Sequence, residues 1–254
     1  MEQRWPNRLW IVRHGQSAGN VARDAADAAG MSRIDIADRD MDVALSALGH
    51  QQAAALGRWF SAQPAQERPR TVLTSPYLRA IQTSQAVRDA GGMAEPHRKF
   101  CIDERLREKE FGILDRLTRR GIEDQFPDQA EFRRLLGKFY HRPPGGESWC
   151  DVILRLRSVV DTLSLHHRGD DVLVVAHQVV VLCLRYLLEG LSEEEILAID
   201  AQADIANCGV TEYRFDPAQG PAGELVLARY NFTAPLEAQA APVTAAPDAN
   251  VAAR

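Results

Sequence analysis

The sequence predicts an α/β fold: a mostly parallel central sheet with helices on both faces, carrying one inserted lid. Two observations support this. Short unbroken apolar runs recur at residues 9–12, 71–74 and 172–176, as in strands buried on both sides. Each run is followed by a stretch of helical spacing, and strands alternating with helices build a parallel sheet covered on both faces. The 254 residues suit one large domain, which is assigned to residues 1–232.

The elements follow in order. Leu9-Trp10-Ile11-Val12 forms the first strand and ends in Arg13-His14-Gly15. A helix over Gln51 to Gln63 places Ala55, Leu56, Trp59 and Phe60 on one face. The second strand, Thr71-Val72-Leu73-Thr74, stops at Ser75-Pro76 and leads into a helix over Leu78 to Ala90. A helix over Ser148 to His167 begins with Ser148 and Asp151 at capping-box spacing. The third strand, Val172 to Ala176, ends at His177 and precedes a helix over Val179 to Glu189. Strands are expected again at Val210 to Phe215 and Leu225 to Tyr230.

Two regions depart from this plan. Residues from about 110 to 144 contain no clear strand. From Arg105 to Arg142 there are 10 Lys/Arg against 7 Asp/Glu, a local excess of 3 positive charges in a chain of net charge −5. A long excursion of this kind is expected to be a lid or binding loop. Residues 233–254 are dominated by Ala, Pro and Gln and offer almost nothing large to bury, so a disordered tail is expected.

Composition narrows the function. Hydrophobic residues make up 45% and charged residues 26%, ordinary for a globular protein. The net charge of −5, with no basic tail, argues against nucleic acid or a membrane surface as partner. No apolar run is long enough to span a bilayer, and Met1 to Arg8 lack the apolar core of a signal peptide, so a cytoplasmic protein is expected. Cys101, Cys150, Cys183 and Cys208 are far apart and away from metal-ligand spacing, so reduced, mostly buried thiols are expected.

Ligands of open α/β sheets bind beyond the carboxyl ends of the strands. The first strand delivers Arg13 and His14 there, the second Ser75 and then Arg79, and the third His177. Arginine forks bind phosphate oxygens in pairs and keep their charge, while histidine can act as nucleophile or donor. Two arginines and two histidines converging on one spot point to a phosphate pocket.

Six blocks then carry a resemblance. They are Arg13-His14-Gly15-Gln16-Ser17 with Asn20; Leu45-Ser46-Ala47-Leu48-Gly49 through Ala53; and Ser75-Pro76-Tyr77-Leu78-Arg79-Ala80 with Thr83. Leu106-Arg107-Glu108 with Gly112, Pro144-Gly145-Gly146-Glu147-Ser148 and Val174-Val175-Ala176-His177 complete the set. In this order, over residues 8 to 215, they resemble the signature of the histidine phosphatase superfamily, whose members include phosphoglycerate mutases and fructose-2,6-bisphosphatase. The resemblance implies a phosphoglycerate mutase-like fold and metal-independent phosphoryl transfer without a cofactor. It implies His14 as the nucleophile that becomes phosphorylated. Arg13, Arg79 and His177 would hold the phosphoryl oxygens, and Asn20 would add a polar contact. Glu108 would be the general acid, with Glu104 and Glu110 as alternatives in the same charged run.

Departures from the family bear on the substrate, expected to be a small phosphorylated metabolite. Gln178 follows the second histidine where most relatives have glycine; His-Gln resembles fructose-2,6-bisphosphatase and makes Gln178 a candidate substrate contact. The paired-arginine segment of the mutases is absent, and Phe111 stands where they carry tyrosine, which favours hydrolysis over mutase transfer. Arg134 and Lys138 lie in the stretch where the sugar bisphosphatase carries its own substrate Arg and Lys. The alternatives are a mutase-type phosphoryl transferase and a non-catalytic phosphate-binding module; the second is disfavoured because Arg13, His14, Arg79, Glu108 and His177 are all present.

Overall fold

The structure is a computed structural model that describes residues 3–96 and 99–245. Its centre is a six-stranded sheet: β1 (Arg8–Arg13), β2 (Thr71–Thr74), β3 (Lys99–Ile102), β4 (Asp171–Ala176), β5 (Val210–Asp216) and β6 (Glu224–Phe232). The spatial order is β3-β2-β4-β1-β5-β6. The first four strands in that order run parallel, and β5 and β6 are antiparallel additions at one edge. β1 and β4 lie side by side at the centre, in register from Arg8 against Asp171 to Arg13 against Ala176. That register brings the residues after each strand, His14 and His177, to the same end of the sheet.

Strand side chains alternate between faces, and the core divides accordingly. Leu9, Ile11, Val172 and Val174 pack with α6 (Trp149–His166) and α7 (Gln178–Glu189). Trp10, Val12, Leu173 and Val175 pack on the other face with α2 (Ala47–Ser61) and α3 (Leu78–Asp89). Phe60 of α2 meets Trp10 edge to face at 5.5 Å between ring centroids. Full burial of an aliphatic side chain of this kind contributes ~1.5–3 kcal/mol, so both faces anchor the strand ends that carry the site.

The expected helices and strands are present with ends shifted by a few residues. α1 (Ala18–Ala28), β3 and α8 (Glu193–Gln202) were not anticipated. The 110–144 stretch is helical: α4 (Arg119–Gln125) and α5 (Pro127–Tyr140). Its basic residues are largely paired locally, Arg119 with Glu123, Arg120 with Asp124 and Arg134 with Glu131.

The disordered tail expected from residue 233 does not begin there. α9 (Ala234–Glu237) packs Leu236 fully buried against the α2 face. Gln52 Nε2 donates to the Pro242 carbonyl at 2.8 Å, and the Asn207 amide donates to the Thr244 carbonyl at 2.8 Å. One leucine and a few hydrogen bonds suffice to hold an otherwise small-residue segment. Residues 246–254 lie outside the described residues. Cys183 and Cys208 are buried, Cys101 and Cys150 half-buried, and all four are free.

Candidate active site

The carboxyl ends of β1, β2 and β4 bring His14, Arg79 and His177 together. The His14 ring lies 5.1 Å from that of His177, centroid to centroid, and both side chains are fully buried. His14 Nδ1 lies 2.7 Å from the Gly15 carbonyl oxygen, and Arg79 Nε lies 3.3 Å from His14 Nε2. A carbonyl can only accept and a guanidinium can only donate. The neutral ring therefore carries its proton on Nδ1 and presents the Nε2 lone pair to the pocket. The main chain of this loop is fixed from behind, where Asn207 Nδ2 donates to the His14 carbonyl at 3.0 Å and Thr83 Oγ1 accepts from the Gly15 amide at 3.0 Å.

Arg13 is fully buried, with Nη1 donating to the Ile205 carbonyl at 2.5 Å. Arg79 sits in the first turn of α3. Its Nη1 donates to the Asp40 carbonyl at 2.5 Å and its Nη2 to Asp40 Oδ2 at 3.2 Å, with the Tyr77 ring 4.9 Å from its guanidinium carbon. Asp40 was missed in the sequence. It opens a short 3-10 turn in an acidic stretch between elements, and no motif or periodicity marks it.

His177 occupies the N-cap position of α7, and its side chain makes no capping bond to that helix. Its Nε2 lies 2.8 Å from Ser75 Oγ, and its Nδ1 lies 3.7 Å from Glu108 Oε2. Glu108 is 1% exposed, and its Oε1 accepts from the Lys109 amide at 2.7 Å. The two other carboxylates of the run are elsewhere. Glu104 is exposed on a 3-10 turn, and Glu110, also exposed, accepts from the Tyr77 hydroxyl at 3.0 Å. Burial also lowers the Lys109 ammonium to about 8, with the Arg133 charge adding to the effect.

Asn20 lies in the first turn of α1, where Ser17 Oγ accepts from its amide and its Oδ1 accepts from the Ser17 amide at 2.9 Å. This capping box fixes the side chain at the wall of a cleft that also contains Arg79. Gln178 is brought to the mouth of β4, but its Nε2 donates to Asp204 Oδ1 at 3.0 Å. Arg134 and Lys138 are not brought to the site. Gly137, at φ +76° and ψ 166°, breaks the helix between them, so they do not share a face. Arg134 is exposed and paired with Glu131, while Lys138 pairs with Asp200 and lies over Trp149. Among the described residues no group of three or more His, Cys, Asp or Glu is arranged to hold a metal ion. None of their helices is long and apolar enough to cross a membrane.

The buried histidine pair, the arginines and the carboxylate on a mutase-type sheet define a known class: the chain belongs to the histidine phosphatase superfamily, branch 1, whose model matches residues 9–226. Among curated relatives it is 31% identical over 190 residues to the 6-phosphofructo-2-kinase/fructose-2,6-bisphosphatase of Aquarana catesbeiana, covering 74% of this chain and 34% of that protein. It is 30% identical over 188 residues to a probable fructose-2,6-bisphosphatase of Schizosaccharomyces pombe, covering 74% and 40%. The chain thus spans roughly a third to two fifths of the length of these relatives. Among solved structures, a mycobacterial glucosyl-3-phosphoglycerate phosphatase is similar with a TM-score of 0.66 and 26% identity, covering 89% of this chain and 99% of that one. The Bacillus stearothermophilus protein YhfR is similar with a TM-score of 0.68 and 25% identity, covering 89% and 96%.

Proposed function

We propose that this protein hydrolyses a phosphomonoester of a small metabolite through a phosphohistidine on His14, without a metal or cofactor. The observation that carries the reading is the placement of the His14 ring, with Nδ1 2.7 Å from the Gly15 carbonyl oxygen and Nε2 3.3 Å from Arg79 Nε, which favours a neutral ring with its lone pair on Nε2 beside Arg79.

In the first step Nε2 attacks phosphorus, an N–P bond forms and the ester P–O bond breaks. Arg13, Arg79 and His177 neutralise the equatorial oxygens, where preorganised charge matters most. The Asn20 amide group contributes a further donor. Phosphate oxygens compete with Asp40 for the terminal nitrogens of Arg79. The leaving oxygen takes a proton from Glu108, whose buried place against His177 suits a general acid. In the second step water attacks phosphorus, its proton passes to Glu108, the N–P bond breaks, and phosphate leaves with the ring neutral again.

Hydrolysis is preferred to mutase transfer because the mutase segment of two arginines followed by Ser/Tyr, Phe/Tyr and Asp/Asn is absent, Arg119-Arg120 and Arg133-Arg134 being followed by Gly121 and Leu135 instead, and because Phe111 stands in place of their tyrosine. The relatives named for phosphatase activity support the same choice. A non-catalytic phosphate-binding role is disfavoured because Arg13, His14, Arg79, Glu108 and His177 are all retained, with His14 beside Arg79 and His177, and His177 beside Glu108. The assay is phosphate release from an aryl phosphate and a panel of sugar and glycerol phosphates in excess chelator. It is paired with phosphoglycerate interconversion primed by bisphosphoglycerate. Free phosphate is expected in the first, with little interconversion in the second. Rapid interconversion without phosphate release, or activity that returns only with magnesium or manganese, contradicts the reading.

A further inference from the structure

A cleft opens beside Arg79 and Asn20, and two chain segments that carry none of the catalytic residues wall it. Ile34, Ile36 and Val43 form one side; Phe111, Leu114 and Leu117 form the other. The segments are clamped together. The Ile34 amide donates to the Arg116 carbonyl at 2.9 Å, and Thr118 Oγ1 donates to the Met31 carbonyl at 2.6 Å. The cleft meets the proposed phosphoryl site at Arg79 and Asn20, so the body of an ester whose phosphate those two residues hold can extend along it.

Three carboxylates, Asp38, Asp40 and Asp115, and three arginines, Arg23, Arg79 and Arg116, line it. Once Arg79 is given over to the phosphoryl group, three carboxylates face two arginines, a balance unsuited to a second anion. Asp40 is held by Arg79, Asp115 lies 3.7 Å from Arg116, and Asp38 is exposed. Of its cations, Arg79 is engaged in the phosphoryl site, and Arg116 Nη1 donates to the Ile36 carbonyl at 3.2 Å. Arg23 is buried and faces the charges of Asp24 and Asp115. Burial raises the Asp115 carboxyl above its usual range, with Asp40 adding to the effect. The basic residues of the 110–144 stretch do not compensate, since Arg119, Arg120, Arg134 and Lys138 are paired elsewhere and none lines the cleft. Lys109 and Arg133 are likewise absent from its walls.

We propose that the cleft selects phosphomonoesters of uncharged alcohols with an apolar body, and discriminates against leaving groups that carry a second phosphate or carboxylate. This rests on the phosphatase reading and names the substrate class of that site. It separates this chain from relatives named for a sugar bisphosphate or a phosphoglycerate ester. The apolar walls supply affinity through the body of the alcohol, and the carboxylates repel a second anion or accept from its hydroxyls.

The test uses ethyl, butyl and hexyl phosphate and the matched hexane-1,6-diyl bisphosphate, with rapid-quench detection of phosphoenzyme alongside kcat/KM. For the wild-type protein, kcat/KM should rise about two- to fourfold per added methylene across the alkyl series. The bisphosphate should lie at least about tenfold below hexyl phosphate, since like charges in a partly desolvated cleft repel strongly. Asp38→Lys should narrow that gap several-fold. A flat alkyl series with the bisphosphate as the better substrate overturns the proposal while leaving the phosphatase reading intact. If that preference disappears in Lys109→Met, the second anion is held at Lys109. Failure of every probe to release phosphate or label the protein overturns the proposal and the underlying reading together.

Discussion

The two ends of the proposed active site are built differently. At the proposed phosphoryl end, His14, Arg79 and His177 are delivered by strand ends and the helices that follow them, and their side chains are 0%, 4% and 0% exposed. At the cleft assigned to the leaving group, the walls come from irregular segments around residues 31–43 and 111–121, joined by an isolated β-bridge between Arg33 and Leu117. Their local core is small, with Leu114, Leu117 and Ile122 as its buried members. The first end depends on the packing of the whole sheet and is suited to fixed chemistry. The second rests on its own small core and a few loop hydrogen bonds, the kind of region in which specificity varies on a shared scaffold.

Four substitutions sharpen or break this contrast. His14→Ala removes the proposed nucleophile, and turnover of every phosphomonoester should fall to background while the protein stays folded by circular dichroism. Glu108→Gln should slow alkyl phosphates by something on the order of 10²- to 10⁴-fold in single-turnover phosphorylation, and nitrophenyl phosphate far less, because a nitrophenolate leaves without a proton. If both substrate types slow equally and Glu110→Gln shows the selective loss, the acid is misassigned.

Gly121→Ala addresses the other end. A Cβ there would fall 1.8 Å from the Ser32 carbonyl oxygen, so the two cleft segments must separate. A stability loss of about 1–3 kcal/mol is expected from urea unfolding. KM for hexyl phosphate should rise, and nitrophenyl phosphate turnover should be largely retained. Equal loss on both substrates would show that the two ends are not separable.

The smallest effect concerns Lys109, next to Glu108. Burial lowers its ammonium to about 8, whereas in the unfolded chain it titrates near about 10.4. Between these values the unfolded state binds more protons, so this residue makes stability rise with pH from about 8 to about 10.4. Below about 8 both states are protonated and the cost of burying the charge is fully felt. Lys109→Met should be more stable than wild type at pH 7, by about 1 kcal/mol, and the advantage should shrink as pH rises through that window. An advantage that does not vary with pH would contradict the assigned burial.

The same contrast explains what was legible in the sequence. The unbroken runs Leu9–Val12 and Val172–Ala176 mark buried parallel strands, and polar residues placed after them belong to the site by the geometry of such sheets. The meeting of His14, Arg79 and His177 could be read in this way. Glu108 could be singled out only through its resemblance to a motif, since its charged run looks like an exposed face. Asp40 and the cleft walls could not be read, because Ile34 and Leu117 are distant in sequence and meet through loop hydrogen bonds with no periodicity. α5 misleads in a further way: Arg134 and Lys138 stand at one-turn spacing, but the extended backbone at Gly137 sends them apart. The tail misleads because composition does not reveal that Leu236 has a place to bury.

The central claim is that His14 carries the phosphoryl group. It is tested most directly by mixing the protein with a ³²P-labelled phosphomonoester, quenching within milliseconds, and mapping the label by peptide mass spectrometry. A label that is acid-labile, alkali-stable and located on His14, formed and lost at rates compatible with turnover, is the predicted result. A label on another residue, or normal turnover by His14→Ala with no phosphoenzyme, would contradict the account.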